Sequence, residues 1–402
     1  MTTATTNPVP ATAPHSEPAV ADLLVLISAA PQDQLKVILA KLAEAFAAGS
    51  VLAAVPESAA LEEDSPISVV SAPVVVPASA ANAAWTLTAA DFVSAWQLAQ
   101  KHEARAVLML GPEAASLSVS AMRDLAGAVL LGSADLAMPH YDLPRLAGLV
   151  NSSILYPLTR SLFVTRARFP LAIDLGLSAR MAQRMAGIGQ RFTSLNQGNV
   201  LLWPVNEAAA AGFSIEEISA GQRTLPQPAA PDLSAVLALV TGSLFSDLEE
   251  KASLWQRARP LSKRSLYAPS SISDTPPDIV PMIEGFRLAY TNLRERWSLV
   301  LPPNSLLGLK KLSVSEPADF RMPEGLWVRI VYDFLLAHRL RTINRSHLFG
   351  ALVPLYLAWV ASYVNATAES DSENYVETVA NAFEADKAYL VSRWRWPDRF
   401  NP

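Results

Sequence analysis

The residues best suited to chemistry lie between Gly132 and Ser178, where polar side chains stand at spacings that packing alone does not demand. Three arginines in this run can each bind a carboxylate through two parallel hydrogen bonds. They are Arg160, Arg166 and Arg168. These three arginines are therefore candidates for holding a carboxylate.

Further polar residues of the same run are Tyr141, Asp142, Asn151, Tyr156, Thr159 and Asp174. Structural roles are open to them as well. The segment from Tyr156 to Arg160 can anchor the start of a helix, and Asp174 can cap the helix that is predicted to begin near Ser178.

Cysteine is absent from the chain, which excludes disulfides, thiolate metal sites and cysteine nucleophiles. A metal would have to use oxygen or imidazole ligands. His140 and His338 are candidate ligands, although a lone histidine is more often structural.

The composition is apolar for a chain of 402 residues, with 51% hydrophobic and 17% charged residues and a mean hydropathy of +0.22. Charged residues usually make up about 25% of a globular protein. Such a surface indicates self-association or contact with a membrane. The net charge is −5 and the acidic excess lies in the first 100 residues, which argues against nucleic acid as a partner.

Short apolar runs alternate with helical patterns in the first half of the chain, as in a doubly wound sheet. The predicted strands are Asp22–Ser28, Val51–Val55, Ser68–Val76 and Ala104–Leu110. Ligands of such sheets bind at the loops that follow the carboxyl ends of the strands. These loops are therefore the expected binding crevice.

Helical patterns dominate the rest of the chain. They cover Asp232–Arg259, Met282–Leu299 and Leu326–Ile343, with a Ser- and Pro-rich loop at 260–281. The sequence thus predicts a disordered tail at 1–20, an α/β domain at 21–230 and a helical region at 231–402. In the last of these helices, Asp333 is placed to pair with Arg329, so its charges form either a packed ion network or a phosphate site.

One segment, Leu348–Val364, is apolar enough to be considered as a membrane span. It is short for a span and contains Pro354, so we interpret it as a buried helix, and membrane contact is the minor alternative. The first 18 residues lack the basic and apolar regions of a signal peptide, which predicts cytoplasmic residence.

The run from Gly132 to Ser178 resembles the middle of the nucleotide-sugar-dependent GT-A glycosyltransferases that make glucosyl- or mannosyl-glycerate and their phosphorylated forms. The resemblance continues through Phe320–Val364 and covers about Ala21–Val364. It implies a GT-A fold, that is, a Rossmann-like, doubly wound mixed sheet followed by a mainly α-helical C-terminal region. The implied activity moves a hexose from a UDP- or GDP-sugar to glycerate, 3-phosphoglycerate or a similar small acid, with Mg²⁺ or Mn²⁺.

The resemblance assigns roles to individual residues. Asp174 matches the aspartate of the family's GGDfGlS motif and becomes the catalytic candidate, near the acceptor together with Tyr141. The substrate-binding candidates are Tyr141, Asn151, Thr159, Arg160, Arg166 and Arg168.

Where the family holds its metal, this chain departs from the pattern. The two aspartates of the family's D-x-D motif fall on Gly111 and Glu113, so Glu113 is the one remnant metal ligand. A further aspartate and the metal-binding histidine fall on Leu201 and Leu225. The glycine- and lysine-rich loop of the family corresponds to Ala78–Ala81.

These departures favour a degenerate glycosyltransferase that has become a binding or assembly subunit with no cofactor. Its expected partners are a second copy of itself or a related active transferase, and not nucleic acid. The alternative is an active enzyme that binds a nucleotide sugar and holds Mg²⁺ or Mn²⁺ with Glu113 together with either His140 or water. A membrane-associated structural protein is the third hypothesis.

Overall fold

The structure is a computed structural model that describes residues 21–28, 30–47, 49–56, 67–72, 85–226, 232–258, 272, 274–368 and 371–397. Three predicted segments lie wholly or mostly outside these described residues. They are the tail at 1–20, the loop at Ala78–Ala81 and the Ser- and Pro-rich loop at 260–281.

The strands of the described residues form one mixed, seven-stranded sheet. In chain order they are β1 (Leu23–Ile27), β2 (Val51–Pro56), β3 (Ser68–Ala72), β4 (Ala106–Leu110), β5 (Leu136–Asp142), β6 (Asp174–Ser178) and β7 (Ile215–Gln222). Across the sheet their order is β3-β2-β1-β4-β6-β5-β7. Strand β6 runs antiparallel to both β4 and β5, whereas the other neighbouring pairs are parallel. This sheet confirms the predicted α/β class with a doubly wound mixed sheet.

The centre of the sheet follows directly from the sequence. Strands β1 and β4 are continuous apolar runs, and every residue in them is buried, as expected for strands that helices cover on both faces. The chain proceeds from β1 to β2 on one side and returns to β4 on the other. The strand order therefore reverses between β1 and β4, and the crevice at their carboxyl ends is the usual ligand site of such sheets.

Helices cover both faces of the sheet and connect its strands. They are α1 (Gln32–Ala45), α2 (Ala89–Lys101), α3 (Val119–Leu130), α4 (Tyr156–Phe163), α5 (Ala179–Thr193) and α6 (Pro204–Ala211). Leu35, Phe92, Leu125 and Met181 from α1, α2, α3 and α5 join the core of the sheet. Helix α4 begins at Tyr156 with Pro157 in its first turn, as the sequence predicts.

A second core lies in the C-terminal region, which is mainly helical as predicted. Its helices are α7 (Leu233–Glu250), α8 (Ala252–Trp255), α9 (Val280–Ser298), α10 (Pro303–Ser313), α11 (Glu324–Leu340), α12 (Arg345–Ala366) and α13 (Ser372–Arg395). Tyr156 and Leu162 of α4, together with Trp203, pack in this second core although they precede residue 230. The chain therefore enters the helical core before the sheet is complete.

Two helix boundaries differ from the sequence-based expectation. The helix predicted over Asp232–Arg259 is interrupted at Lys251, whose side chain binds both Glu207 and Asp247. The helix predicted over Leu326–Ile343 ends earlier, because Arg341 takes the left-handed conformation with φ of 52°.

Helix α12 contains the apolar segment that the sequence offers as a membrane span. Among the described residues it is the one helix that is long and apolar enough to cross a membrane by length and composition alone. Within its most apolar window, 72% of the residues are buried inside the protein. The helix thus fits the interpretation as a core helix.

Candidate functional site

The carboxyl end of β4 lacks the first carboxylate that the resemblance predicts. A Cβ at Gly111 would lie 2.6 Å from the carbonyl oxygen of Ile173 and 2.7 Å from its Cβ. Side chains do not pack this closely, so position 111 cannot hold an aspartate while Ile173 keeps its place. The family pattern has a glycine at the position of Ile173.

Glu113, the remnant metal position, points toward helix α1. Its backbone is left-handed, with φ of 63°, and its carboxylate accepts a hydrogen bond of 2.9 Å from Nε2 of Gln34. Its carbonyl oxygen accepts a second bond, from the guanidinium group of Arg223.

Asp174 lies at the first position of β6 with its side chain fully buried. Its Oδ1 accepts hydrogen bonds from the backbone nitrogen of Gly111 at 3.1 Å and from Nη2 of Arg223 at 3.2 Å. Its Oδ2 accepts from Oη of Tyr141 at 2.7 Å and from Nε of Arg223 at 2.8 Å. The acceptor directions of the carboxylate are thus filled by protein donors.

Arg223 is the residue that sequence reasoning missed, and its side chain is also fully buried. Besides Asp174, Nη2 donates to the carbonyl oxygen of Pro112 at 2.7 Å. Nη1 donates to Oγ of Ser116 at 3.0 Å and to the carbonyl oxygen of Thr224 at 2.9 Å. Because a guanidinium group has five N–H donors, these acceptors and the carbonyl oxygen of Glu113 use all of them.

We call Gly111, Glu113, Tyr141, Asp174 and Arg223 the sheet-edge site. Burial and the neighbouring carboxylate of Asp174 hold the pKa of Tyr141 well above its usual value, so the phenol remains a protonated donor. The charges of Asp174 and Arg223 cancel, which leaves Glu113 as the one unpaired carboxylate of the site, and the described residues bring no second or third ligand to it. The site therefore does not fit the metal that the resemblance implies.

The interpretation of Asp174 as a helix cap is wrong. Helix α5 is capped by Ser178, whose Oγ accepts a hydrogen bond of 3.3 Å from the backbone nitrogen of Met181. Asp174 instead lies at the opposite end of β6 and serves as the counter-ion of Arg223.

Arg160 lies apart from the sheet-edge site and binds helix α13. Its Nη1 donates to Glu377 at 2.6 Å, its Nε to Glu384 at 2.9 Å and its Nη2 to Asn381 at 2.9 Å. The side chain is 2% exposed. In this structure the guanidinium group thus joins α4 to α13.

Arg168 has a similar position. It binds both oxygens of Glu373, at 3.0 and 3.1 Å, and its guanidinium group lies over the ring of Tyr156 at 5.0 Å. Asn151 donates to the carbonyl oxygen of Arg168 at 3.0 Å. Hydrogen bonding thus brings Asn151 and Arg168 together beside α13.

The other two substrate-binding candidates lie in different surroundings. Arg166 is exposed to solvent. Thr159 is fully buried in α4, and its hydroxyl has no hydrogen-bond partner among the described residues. The candidates predicted from the sequence therefore divide into a sheet-edge pair, Tyr141 and Asp174, and a group along α4 and α13.

Neither histidine joins Glu113. His140 lies 3.4 Å from Glu217, and His338 is buried beside Phe245 and Phe349. The described residues contain no group of three His, Cys, Asp or Glu side chains that could hold a metal.

Leu201 and Leu225 are the positions on which the resemblance places a further aspartate and the metal-binding histidine. They belong to the two different hydrophobic cores. Leu201 lines a cavity of about 600 Å³ whose lining also includes residues of helices α5, α6, α7, α11 and α12, with His338 among them. Leu225 packs against the core of the sheet.

The predicted pairing of Asp333 with Arg329 is not the main contact of either residue. Asp333 binds Arg393, and Arg329 binds Asp386 at 3.0 Å, so both partners come from α13. The charges of α11 therefore form a packed network between two helices, as one of the two sequence-based interpretations proposed.

Comparison with solved structures gives similarities to glucosyl-3-phosphoglycerate synthase from Mycobacterium tuberculosis. Its complex with Mn²⁺, uridine diphosphate and glucosyl-3-phosphoglycerate is 13% identical, with a TM-score of 0.38, over 64% of this chain and 89% of that chain. Its complex with Mn²⁺, uridine diphosphate and phosphoglyceric acid is 16% identical, with a TM-score of 0.37, over 61% of this chain and 82% of that one.

A structure described as a mycobacterial protein is 14% identical, with a TM-score of 0.37, over 65% of this chain and 82% of that chain. No protein-family model and no curated protein matches the sequence. At such low identity and TM-score the similarity does not extend to ligands or activity, so the function proposed below depends on the geometry of this chain.

Proposed function

We propose that this protein is a degenerate GT-A-type transferase that acts as a binding or assembly subunit and does not catalyse metal-dependent sugar transfer. One observation carries the proposal, namely the fully buried ion pair between Asp174 and Arg223 at the sheet edge. On the resemblance, this edge is where the metal and the sugar diphosphate would meet.

Neither member of the pair can help to neutralise a diphosphate, so Glu113 is the one carboxylate of the sheet-edge site left to recruit a cation. Asp174 offers no open oxygen to a cation, because protein donors occupy both of its oxygens. Arg223 cannot replace the metal at a diphosphate, because all of its N–H groups are already bound to protein acceptors. The buried guanidinium group of Arg223 thus serves the fold and has no free N–H donor for a ligand.

The consequence for catalysis is large. A metal contributes several kcal/mol of charge stabilisation to the departure of a phosphate group, and each 1.36 kcal/mol is worth a factor of ten in rate. Loss of that contribution lowers the rate by about three orders of magnitude or more.

Direct measurement of Mn²⁺ binding by electron paramagnetic resonance tests the proposal. We expect the signal of free Mn²⁺ to be unchanged by the protein, with or without UDP-glucose or GDP-mannose. We also expect no steady release of nucleoside diphosphate when glycerate or 3-phosphoglycerate is added.

The alternative, an active transferase that uses Glu113, makes the opposite prediction. Mn²⁺ would bind in the presence of a nucleotide sugar, Glu113→Gln would abolish that binding, and nucleoside diphosphate would accumulate. This set of results would overturn the proposal.

Assembly is the second part of the proposal. Large apolar side chains remain exposed on α9, on α10 and directly after α10, among them Leu288 at 64%, Leu307 at 53% and Val314 at 76%. Exposed apolar groups of this size support association with a second copy or with a related transferase. Light scattering on the purified chain is expected to give a mass above that of a monomer. A monomeric mass, with no complex formed when a related transferase is added, would contradict the assembly role.

We infer cytoplasmic residence with no membrane role for α12. Sedimentation with liposomes tests this inference. The protein is expected to remain in the supernatant, and its recovery with the liposomes would favour the membrane-associated alternative.

A further inference from the structure

A second candidate site lies in the helical region and is independent of the proposed function. It is a cavity of about 650 Å³ between α10, the start of α11 and α13, which we call the helical cavity. Its lining from α10 includes Ser305, Gly308 and Lys311, and its lining from the other two helices includes Gly325, Arg329 and Asp386. Arg321 lines it from the segment that precedes α11.

The lining carries an excess of positive charge. Lys311, Arg321 and Arg329 face a single carboxylate among the described lining residues, that of Asp386. Arg329 and Asp386 bind each other at 3.0 Å, so this pair contributes no net charge. Lys311 and Arg321 leave the lining residues with a charge of about +2, which matches a dianion. Glu324, in the first turn of α11 between the lining residues Pro323 and Gly325, opposes part of this charge.

The start of α11 adds backbone donors. Its N-cap residue is Pro323, which provides no side-chain cap for the first N–H groups of this 17-residue helix. Gly325 follows in the first turn, and a Cβ added there would meet nothing within 4 Å. Leu326 and Trp327 already donate their N–H groups to the carbonyl oxygen of Pro323, so the donors left at this helix start are those of Glu324 and Gly325. Such N–H groups and the positive end of a helix dipole favour an anion at this position.

Ser305 provides an independent indication of a ligand. Its side chain is 2% exposed, and its hydroxyl has no hydrogen-bond partner in the described part of the chain. A buried hydroxyl without a partner is costly, and it is normally satisfied by protein, water or a ligand. The Oγ atom is covered in this structure, and a change of χ1 rotamer would bring it to an oxygen that enters the cavity.

From these contacts we propose that the helical cavity binds the phosphate group of a small phosphate monoester. Lys311 and Arg321 neutralise the dianion, the first N–H groups of α11 bind its oxygens, and Ser305 donates the remaining hydrogen bond. A cavity of about 650 Å³ is far larger than a phosphate ion and lies in the size range of small-molecule sites, so the ester portion has room beside the phosphate.

Adjacent lysines in α10 provide a matched pair for the test. Lys310 and Lys311 are both exposed and both lie in the last turn of the helix, where either can complement the helix dipole. Lys311 alone lines the helical cavity, because neighbouring residues point about 100° apart around a helix. A contact with phosphate therefore distinguishes two otherwise similar side chains.

Isothermal titration at constant ionic strength and pH 8 is the measurement, with inorganic phosphate and ribose 5-phosphate as probes and ribose as the uncharged control. We expect both phosphates to bind and ribose not to bind. Lys311→Ala and Arg321→Ala should each weaken binding about tenfold or more, and Lys310→Ala should change it less than twofold.

Ser305→Ala separates a ligand contact from a structural role. Removal of an unsatisfied buried hydroxyl should leave the melting temperature unchanged or raise it, while the binding of ribose 5-phosphate weakens. The proposal is overturned if neither phosphate binds to the wild-type chain. Equal losses in Lys310→Ala and Lys311→Ala would also overturn it, since they would mean unspecific attraction to a basic surface.

Discussion

Arg223 at the sheet edge and Arg321 at the helical cavity carry the same guanidinium group in opposite surroundings. Arg223 is completely buried, and every one of its donors is bound within the protein. Arg321 is exposed, and its Nη2 makes one long contact of 3.4 Å with the carbonyl oxygen of Asn365. A charged group can hold a ligand only with hydrogen-bonding capacity that the fold has not already used.

The two regions also differ in what they leave unsatisfied. The sheet-edge site pairs Asp174 with Arg223, Tyr141 and the backbone of Gly111, so its polar groups are spent on each other. The helical cavity keeps Lys311 and the start of α11 open and leaves the hydroxyl of Ser305 without a partner among the described residues. The sheet-edge site, which the sequence resemblance points to, is thus less able to bind a ligand than the helical cavity.

The largest effect is expected from Arg223→Met, which removes one partner of the buried ion pair between Arg223 and Asp174. Asp174 would remain buried without its counter-ion, so the free energy of unfolding should fall by as much as about 5 kcal/mol in urea denaturation. The double variant Asp174→Asn with Arg223→Met should recover part of this loss. Arg105→Met is the control, since its pair with Asp22 is exposed and worth at most about 1 kcal/mol. Equal losses from Arg223→Met and Arg105→Met would show that the sheet edge is open to water.

Arg160→Met extends the comparison to the contact between α4 and α13. It removes the partner of Glu377 and Glu384, and the free energy of unfolding should fall by about 3 kcal/mol. Arg329→Met, which removes a half-exposed contact to the same helix, should cost less than about 1 kcal/mol. A stable Arg160→Met protein would return Arg160 to the set of substrate-binding candidates.

His338 tests a buried polar group that has no charged partner. Burial, and then Arg345 and Arg341, lower its pKa from 6.5 to about 4. The unfolded chain therefore binds the proton more readily, and the contribution of His338 to stability is complete above pH 6.5 and lost as the pH falls toward 4. This contribution amounts to about 3 kcal/mol.

Urea denaturation between pH 4 and 7 measures the effect. His338→Gln should remove that part of the pH dependence, whereas substitution of the half-buried His140 provides the control. If the free energy of unfolding of His338→Gln depends on pH as steeply as that of the wild-type protein, the imidazole is not shielded from water.

The smallest effects on stability are expected from two glycine substitutions, of which one destabilises the protein and the other stabilises it. Gly111→Ala places a Cβ against the backbone of Ile173 and should cost about 1–3 kcal/mol. Gly127→Ala lies within α3, where the added Cβ meets nothing within 4 Å, and should stabilise the protein by up to about 1 kcal/mol. Thermal unfolding of both variants measures the difference. Tolerance of Gly111→Ala would mean that position 111 can still accept a side chain.

Much of the fold could be predicted from local sequence. Continuous apolar runs identified β1 and β4, because strands covered on both faces need no polar residues. The apolar segment of α12 was recognisable as a core helix, and 72% of its most apolar window is buried. Helix ends were less accurate, since the break at Lys251 depends on a contact with Glu207 that is distant in sequence.

The candidate site was only partly predictable. Tyr141 and Asp174 were selected from the sequence, and the structure brings them within 2.7 Å of each other. Arg223, which completes this site, lies 49 residues from Asp174 and stands in a segment with no motif of its own. Its one signal was a single arginine directly after β7, two residues before the position of the lost histidine.

The sequence alone determined the class of the fold, because apolar periodicity is a local property. The tertiary structure decided which charged groups are paired within the protein and which remain free to bind a ligand. Arg160 finds its acidic partners on α13, more than 200 residues away, and Arg223 finds Asp174 across the sheet. The energy of a charged group depends on its burial and on the partners that reach it, and only the folded chain determines both.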